Sequence, residues 1–344
     1  MLDHFFQRLW YSGRVHWFSV VLLPLSGLFG LITAVRRSAY RAGVFKAVRV
    51  SRPVLVVGNI TVGGVGKTPL TIWLASLLEA RGVQAGVVLR GYGGRSASWP
   101  RDVAADSSPA EVGDEAVLLA NRTSAIVAAG PDRVATARRV IERGAQIVLS
   151  DDGLQHYRLA RDGEIVVIDE KRGLGNGRLL PAGPLREPQR RLETVDLVVL
   201  TRRTAETARS ADAEFPASMI AVARLSGVIS LTTGEIRTVE SFKGRRVHAI
   251  AAIGHPQAFF ESLSARGLSF DAHAFADHAP LSPANLQFGD DAPVLMTEKD
   301  AVKCRAFADG RLWSVRMDVE IDAQDAMVIS KLLDRMLAGR RTIN

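Results

Sequence analysis

Residues 54–75 read VLVVGNITVGGVGKTPLTIWLA, and the types and spacing within them suit the binding of phosphate. Gly63, Gly64 and Gly66 precede Lys67 and Thr68. Without Cβ atoms, such glycines let backbone N–H groups turn inward around anionic oxygens. In a loop of this kind Lys67 reaches the β- and γ-phosphates of a nucleotide, and the Thr68 hydroxyl ligates Mg²⁺. The usual phosphate-loop pattern places glycine where this chain has Thr61, but the Gly-Lys-Thr core of the motif remains. A second segment, IVLSDDGLQH at 147–156, brings two carboxylates together. Asp151 and Asp152 would repel one another unless a cation lay between them, so either could hold Mg²⁺; a plain surface turn is the other reading. No Asn-Lys-x-Asp segment is present to read guanine, and TEKD at 297–300 has the wrong order. ATP is therefore expected over GTP.

These residues need elements to position them. Aliphatic runs at 53–59, 84–90, 124–130, 145–152, 164–170 and 195–202 read as buried strands, with amphipathic stretches at 68–81 and 133–143 between them. Continuous apolar strands alternating with helices predict a mostly parallel sheet covered on both faces. The loop falls where its mechanism requires, directly after a strand and before a helix whose N-terminal end favours an anion. A second set of strands is expected at 246–254, 269–278, 293–300 and 312–321, with helices at 256–266 and 323–337. Between the two sets, 218–242 reads as two short strands around Gly227 and Gly234. The expectation is a P-loop NTPase-like α/β domain at 38–217, a β linker at 218–242 and a smaller α/β domain at 243–344.

Composition narrows the function classes. The chain has 344 residues, of which 47% are apolar and 23% charged, which excludes wholesale disorder. Its net charge of +8 favours an anionic partner. The basic residues are not interleaved with aromatics as in nucleic-acid-binding stripes, so no nucleic-acid partner is expected. The one cysteine, Cys304, allows no intrachain disulfide and suits a reducing compartment. Residues 15–35 carry no Asp, Glu, Lys or Arg and are flanked by Arg14 and by Arg36-Arg37, with Trp10, Tyr11 and Trp17 near the start. Pro24, Gly27 and Gly30 weaken a straight spanning helix. The aromatic and basic edges suit a segment at 1–37 that lies against an anionic membrane surface, though a helical hairpin packed on the protein's own core would also account for the apolar run.

Seven segments in order resemble the tetraacyldisaccharide 4′-kinase family: GNITVGGVGKTP (58–69), RGYGG (90–94), GDEAVLLA (113–120), DDGLQH (151–156), RGLGNGRLLPAGPLREP (172–188), AFADH (274–278) and MTEKDAVK (296–303). Each is weak alone, but together they cover most of the chain, and Thr61 is the family's form of the loop. The resemblance implies transfer of the ATP γ-phosphate to the 4′-hydroxyl of a lipid-linked disaccharide 1-phosphate, at the cytoplasmic face of the bacterial inner membrane. It also implies a base, Asp114, paired with His278; Asp114 read alone could equally cap a helix. Further implied roles place Glu115, Asp151, Asp152 and Thr68 around Mg²⁺, Gln155 and His156 near the reacting phosphate, Arg133 beside the site, and Arg186-Glu187 closing over ATP. Glycine and proline between 173 and 188 suit a lid. The family pattern also leads to an aromatic soon after His278, where this chain reads APLSPANL.

A different class remains: a membrane-associated P-loop ATPase acting as a switch or partitioning protein. Those loops share GGVGKT but usually carry Lys where this chain has Val62. A switch would also need no His paired with Asp114.

Overall fold

The structure is a computed structural model and describes residue 6 and residues 9–12, 17–203, 215 and 218–339. Arg14, Val15 and the expected boundary at 217 lie outside these residues. The strands are β1 (Val54–Gly58), β2 (Ala85–Leu89), β3 (Arg101–Val103), β4 (Ile126–Ala129), β5 (Ile147–Asp151), β6 (Gly163–Asp169) and β7 (Leu197–Arg202). They continue as β8 (Met219–Ser230), β9 (Ile236–Arg237), β10 (His248–Ala251), β11 (Asp271–Ala274), β12 (Val294–Thr297) and β13 (Leu312–Ile321). All belong to one sheet of order β11-β10-β12-β13-β8-β7-β6-β1-β5-β2-β4-β3, with β9 paired to β8. Pairing is parallel except at β3–β4, β8–β9 and β8–β13.

Helices cover both faces: α1 (Trp17–Val21), α2 (Leu23–Arg41), α3 (Lys67–Ala80), α4 (Pro109–Val112), α5 (Asp114–Arg122), α6 (Arg133–Glu142), α7 (Pro256–Ala265), α8 (Glu298–Cys304) and α9 (Ala323–Ala338). Alternate residues of β1 serve different faces, as the two-residue period of a strand requires. Leu55 and Val57 pack with Leu70, Leu74 and Leu78 of α3. Val54 and Val56 pack with Val134, Ala137 and Val140 of α6 on the other side. Burial on both faces explains why β1 reads as a continuous apolar run.

The stretch at 218–242 differs from expectation. β8 is a single strand of twelve residues that crosses Gly227 instead of turning there. Its register against β13 shifts between Arg316 and Met317, next to the Arg316–Gly227 pair. The glycine therefore sits at a bulge, where a strand tolerates and often uses it. Gly234, at φ +71°, does lie in the turn that follows. β8 pairs with β7 on one side and β13 on the other, so it joins the two sets of strands into one sheet.

Pro24, Gly27 and Gly30 do not interrupt α2. The proline occupies the first turn, where its missing N–H costs no helical bond. Gly30 faces Leu179 so closely that a Cβ would lie 2.8 Å from its Cδ1. Close by, the Ser26 hydroxyl donates to the Leu179 carbonyl at 2.8 Å. One face of α2 thus packs on the 173–188 segment, while Leu25, Leu28, Leu31, Ile32 and Val35 are exposed. No helix among the described residues is long and apolar enough to cross a membrane.

Candidate active site

A cavity of about 970 Å³ opens beside the C-terminal ends of β1 and β5, between the two sets of strands. The phosphate loop forms one wall. Gly66 caps α3 with φ +87°, a left-handed conformation, and a Cβ there would meet Thr201 Cγ2 at 2.9 Å. Glycine is required at that position on both counts. The Thr201 hydroxyl, at the end of β7, donates to the Val65 carbonyl at 2.8 Å and braces the loop from below. Gly58 does a similar job on β1: its missing Cβ, which would lie 2.6 Å from Leu154 Cβ, lets the turn after β5 approach.

Lys67 and the two aspartates meet here. Lys67 Nζ donates to Asn59 Oδ1 at 3.1 Å and lies 3.4 Å from Asp152 Oδ1, which Arg186 also approaches at 3.4 Å. Burial would raise the Asp152 carboxyl, but Lys67 and Arg186 outweigh it and hold the group below its ordinary value. Asp151 is fully enclosed. Burial and the Glu115 carboxylate push it up to about 7, against the opposing pull of Lys67. Arg133, also buried, donates to the Asp151 backbone carbonyl at 3.1 Å and borders the cavity. Burial lowers its guanidinium to about 10, which leaves it charged near neutrality. His156 is drawn down to about 4 by burial and by Arg133 and Arg90, so it is neutral there. Gln155 donates to the Asn59 carbonyl at 3.1 Å and to Glu187 Oε1 at 2.9 Å.

The opposite wall joins distant segments. His278 Nδ1 lies 3.1 Å from Asp114 Oδ2, and its Nε2 lies 3.1 Å from Lys299 Nζ. An ammonium only donates, so this contact makes Nε2 the acceptor and leaves Nδ1–H to donate to Asp114. Lys299 also donates to Glu115 Oε1 at 3.0 Å. Burial would raise the Asp114 carboxyl, yet the His278 hydrogen bond and the charges of Lys299 and Lys303 bring it below its usual range. For His278 burial acts downward and the bond to Asp114 acts upward, with a net rise. The aromatic neighbour of His278 is Tyr92, from the RGYGG segment, with ring centroids 4.7 Å apart.

Most of the residues singled out in the sequence therefore converge. Gly63, Gly64, Gly66, Lys67, Thr68, Glu115, Arg133, Asp151, Asp152, Gln155, His156, Arg186 and His278 all line the cavity. Asp114 lies one layer back, behind His278. Thr61 is buried and forms a backbone bridge with Leu185. Glu187 is also buried, and its carboxylate faces Gln155, Tyr157 and Arg191. Sequence reasoning gave no role to Lys299, Tyr92 or Asn59, although all three lie in motif segments. Asp114 is no ordinary helix cap: Gly113 holds that position, and Asp114 Oδ1 accepts from the next residue's N–H at 2.8 Å.

The carboxylates fit a divalent ion as a donor set. The Glu115 carboxylate lies close enough to Asp151 to raise the cost of ionising it, the condition a cation relieves. Among the described residues no three His, Cys, Asp or Glu side chains are already gathered around a common point.

Comparisons with known proteins find relatives along nearly the whole chain. A model of the tetraacyldisaccharide-1-P 4′-kinase family matches residues 18–337. The tetraacyldisaccharide 4′-kinase of Alkalilimnicola ehrlichii is 48% identical, across 88% of this chain and 89% of that protein. The enzyme of the same name from Stenotrophomonas maltophilia is 46% identical across 95% and 96%. Among solved structures, LpxK from Aquifex aeolicus, crystallised with ATP, superposes with a TM-score of 0.78 at 28% identity, over 93% of this chain and 99% of that one. On this evidence the chain belongs to the tetraacyldisaccharide-1-P 4′-kinase family.

Proposed function

We propose that the cavity between the phosphate loop and the Asp114–His278 pair is where this chain carries out its family's reaction. That reaction transfers the ATP γ-phosphate to the 4′-hydroxyl of a tetraacyldisaccharide 1-phosphate, a step of lipid A biosynthesis. The observation that carries the residue assignment is that His278, bonded to Asp114 across 164 residues of sequence, faces the same cavity as the phosphate loop.

The loop amides and Lys67 hold the nucleotide phosphates. Thr68, Asp151 and Asp152, with Glu115 alongside, would hold Mg²⁺; when bound, it neutralises charge on the β- and γ-phosphate oxygens. Lys67 and Asp152, 3.4 Å apart here, would separate to hold nucleotide phosphate and metal respectively. The 4′-oxygen attacks the γ-phosphorus as its bond to the β-γ bridging oxygen breaks, releasing ADP. The hydroxyl proton passes to the Asp114–His278 unit. Asp114, kept ionised by its partner, accepts that proton, and the His278 ring at the cavity edge orients its carboxylate. Arg186 closes beside the phosphates, and Arg133 adds positive charge. The pairing of Glu187 with Gln155 fixes the turn that carries Asp152.

We further assign the exposed apolar face of α2 to an anionic membrane surface, from which a lipid-linked acceptor would be drawn. In the test, purified protein is incubated with ATP, Mg²⁺ and detergent-dispersed tetraacyldisaccharide 1-phosphate. Mass spectrometry should detect the bisphosphorylated lipid and ADP in equal amounts. Folded protein that binds ATP yet releases only inorganic phosphate would favour the ATPase-switch reading instead.

A further inference from the structure

We propose that Lys299 is a positioning residue for this phosphoryl transfer, acting through His278 by holding the imidazole in a single tautomer. The inference rests on the reading of the Asp114–His278 unit given above. Lys299 lies in the first turn of α8, and its neighbours on both sides are fixed. Glu298 accepts from Arg122 at 2.6 Å and from the Met317 N–H at 3.1 Å. Asp300, fully buried, accepts from the Ala252 N–H at 3.0 Å and from the Thr297 hydroxyl at 2.7 Å. The backbone of Lys299 is thus anchored to α5, to β13 and to the end of β10 at once.

From that anchor the ammonium reaches Glu115 Oε1 at 3.0 Å, His278 Nε2 at 3.1 Å and Asp277 Oδ1 at 3.7 Å. The groups facing His278 are then Asp114, Lys299, Asp277 (3.8 Å) and the Tyr92 ring. Lys303, one turn on, is occupied by Asp300 at 2.7 Å and by the Ala279 carbonyl at 3.2 Å, so it does not compete for the ring. Left alone, a neutral imidazole could present either nitrogen as its donor. A cation at Nε2 disfavours a proton there, so the proton resides on Nδ1 and is donated to Asp114. His278 also has φ +58°, an uncommon conformation for a non-glycine residue, which its surroundings must hold in place. Lys299 supplies one such restraint, and it ties the orientation of His278 to Glu115 across the cavity wall.

Lys299→Met keeps the length of the side chain and removes its charge. Its kcat should fall about tenfold, no more than removal of His278 itself, with KM for ATP changed less than about threefold. In a His278→Ala background the same change should cost less than about threefold, because the group it positions is gone. Lys299→Arg, which keeps a donor-only cation, should recover part of the activity. In ¹⁵N-histidine NMR spectra, His278 should show a protonated Nδ1 in the unmodified protein and mixed tautomers in Lys299→Met. If the methionine protein does not fold, Lys299→Gln reads the same coupling. A full loss that persists without His278, an unchanged tautomer in the variant, or no loss of kcat would each overturn the proposal. Absence of any kinase activity in the unmodified protein would instead count against the reading of the site, and the NMR comparison would still decide the tautomer.

Discussion

The two walls of the cavity are built in different ways. The phosphate wall is nearly continuous in sequence: the run from Gly63 to Pro69 lines it, and a left-handed glycine and the start of α3 shape it. The opposite wall has no such run. Asp114 starts one helix, His278 follows β11, and Lys299 starts another helix, and they meet only because β8 links the two sets of strands in one sheet. A wall made from local backbone geometry is robust to changes elsewhere, whereas a wall made by tertiary packing functions only as a unit.

That contrast sets the largest expected effect. Lys67→Ala removes one contact from a wall whose backbone stays formed, so fold and melting temperature should hardly change. Turnover should drop on the order of 10²–10³-fold, as for loss of a preorganised electrostatic contact. Steady-state kinetics beside thermal unfolding would check this, and near-normal turnover in the folded variant would remove Lys67 from the mechanism.

The opposite wall should show coupling. Asp114→Ala should lower kcat by about 10²-fold with little change in KM for ATP, since proton acceptance matters in the transition state. His278→Ala should follow the same pattern more mildly. The double variant should cost little more than Asp114→Ala alone, because residues that act together are not additive. Strict additivity in a double-mutant cycle would show that the two act separately.

The same contrast explains what could be read from the sequence. The β-strands are apolar runs whose burial on both faces leaves a direct mark on composition, and the loop's glycines mark its backbone, so both are visible one segment at a time. Thr61 is part of that loop, yet its backbone bridge to Leu185 depends on the 173–188 segment and leaves no local trace. Lys299 is similar. Nothing about a Lys in TEKD signals an imidazole 3.1 Å away, since that distance depends on how α8 sits against α5 and β11. Gly227 was misleading for a physical reason: glycine serves turns and bulges alike, and only the partner strand decides between them.

Between the walls lies Asp151, and its environment predicts a dependence on pH. Its folded value, near 7, is above that of an unfolded aspartate near 3.8. The folded state therefore holds a proton that the unfolded state has lost, and stability falls as pH rises from about 4 to about 7. Asp151→Asn removes this penalty while an amide oxygen can still accept from the Asp152 N–H, now bound at 3.0 Å. Without nucleotide or Mg²⁺, the variant should be more stable than the parent at pH 8 by about 1–3 kcal/mol, and nearly equal at pH 4. Urea unfolding at the two pH values would check it, and a gain at pH 4 as large as that at pH 8 would point to packing instead of charge.

The smallest effect on turnover is expected on the outer face of α2, whose inner face reaches the cavity through Phe29, Thr33 and Arg36. Ser26 and Gly30 bind this helix to the 173–188 segment, while Leu28 and Ile32 are 54% and 58% exposed and do not border the cavity. Apolar side chains left in water cost free energy that a membrane interface would recover, about 0.8 kcal/mol for each CH₂ fully buried. Replacing Leu28 and Ile32 with Gln should therefore weaken binding to vesicles of mixed zwitterionic and anionic lipid by roughly tenfold, on a loss of about 1–2 kcal/mol. Turnover of detergent-dispersed acceptor should stay within about twofold, because neither side chain touches the reacting groups. Vesicle co-sedimentation alongside the kinase assay separates the two outcomes. A large loss of turnover in detergent would mean that the outer face of α2 also supports the site, and undiminished vesicle binding would assign membrane contact to some other surface.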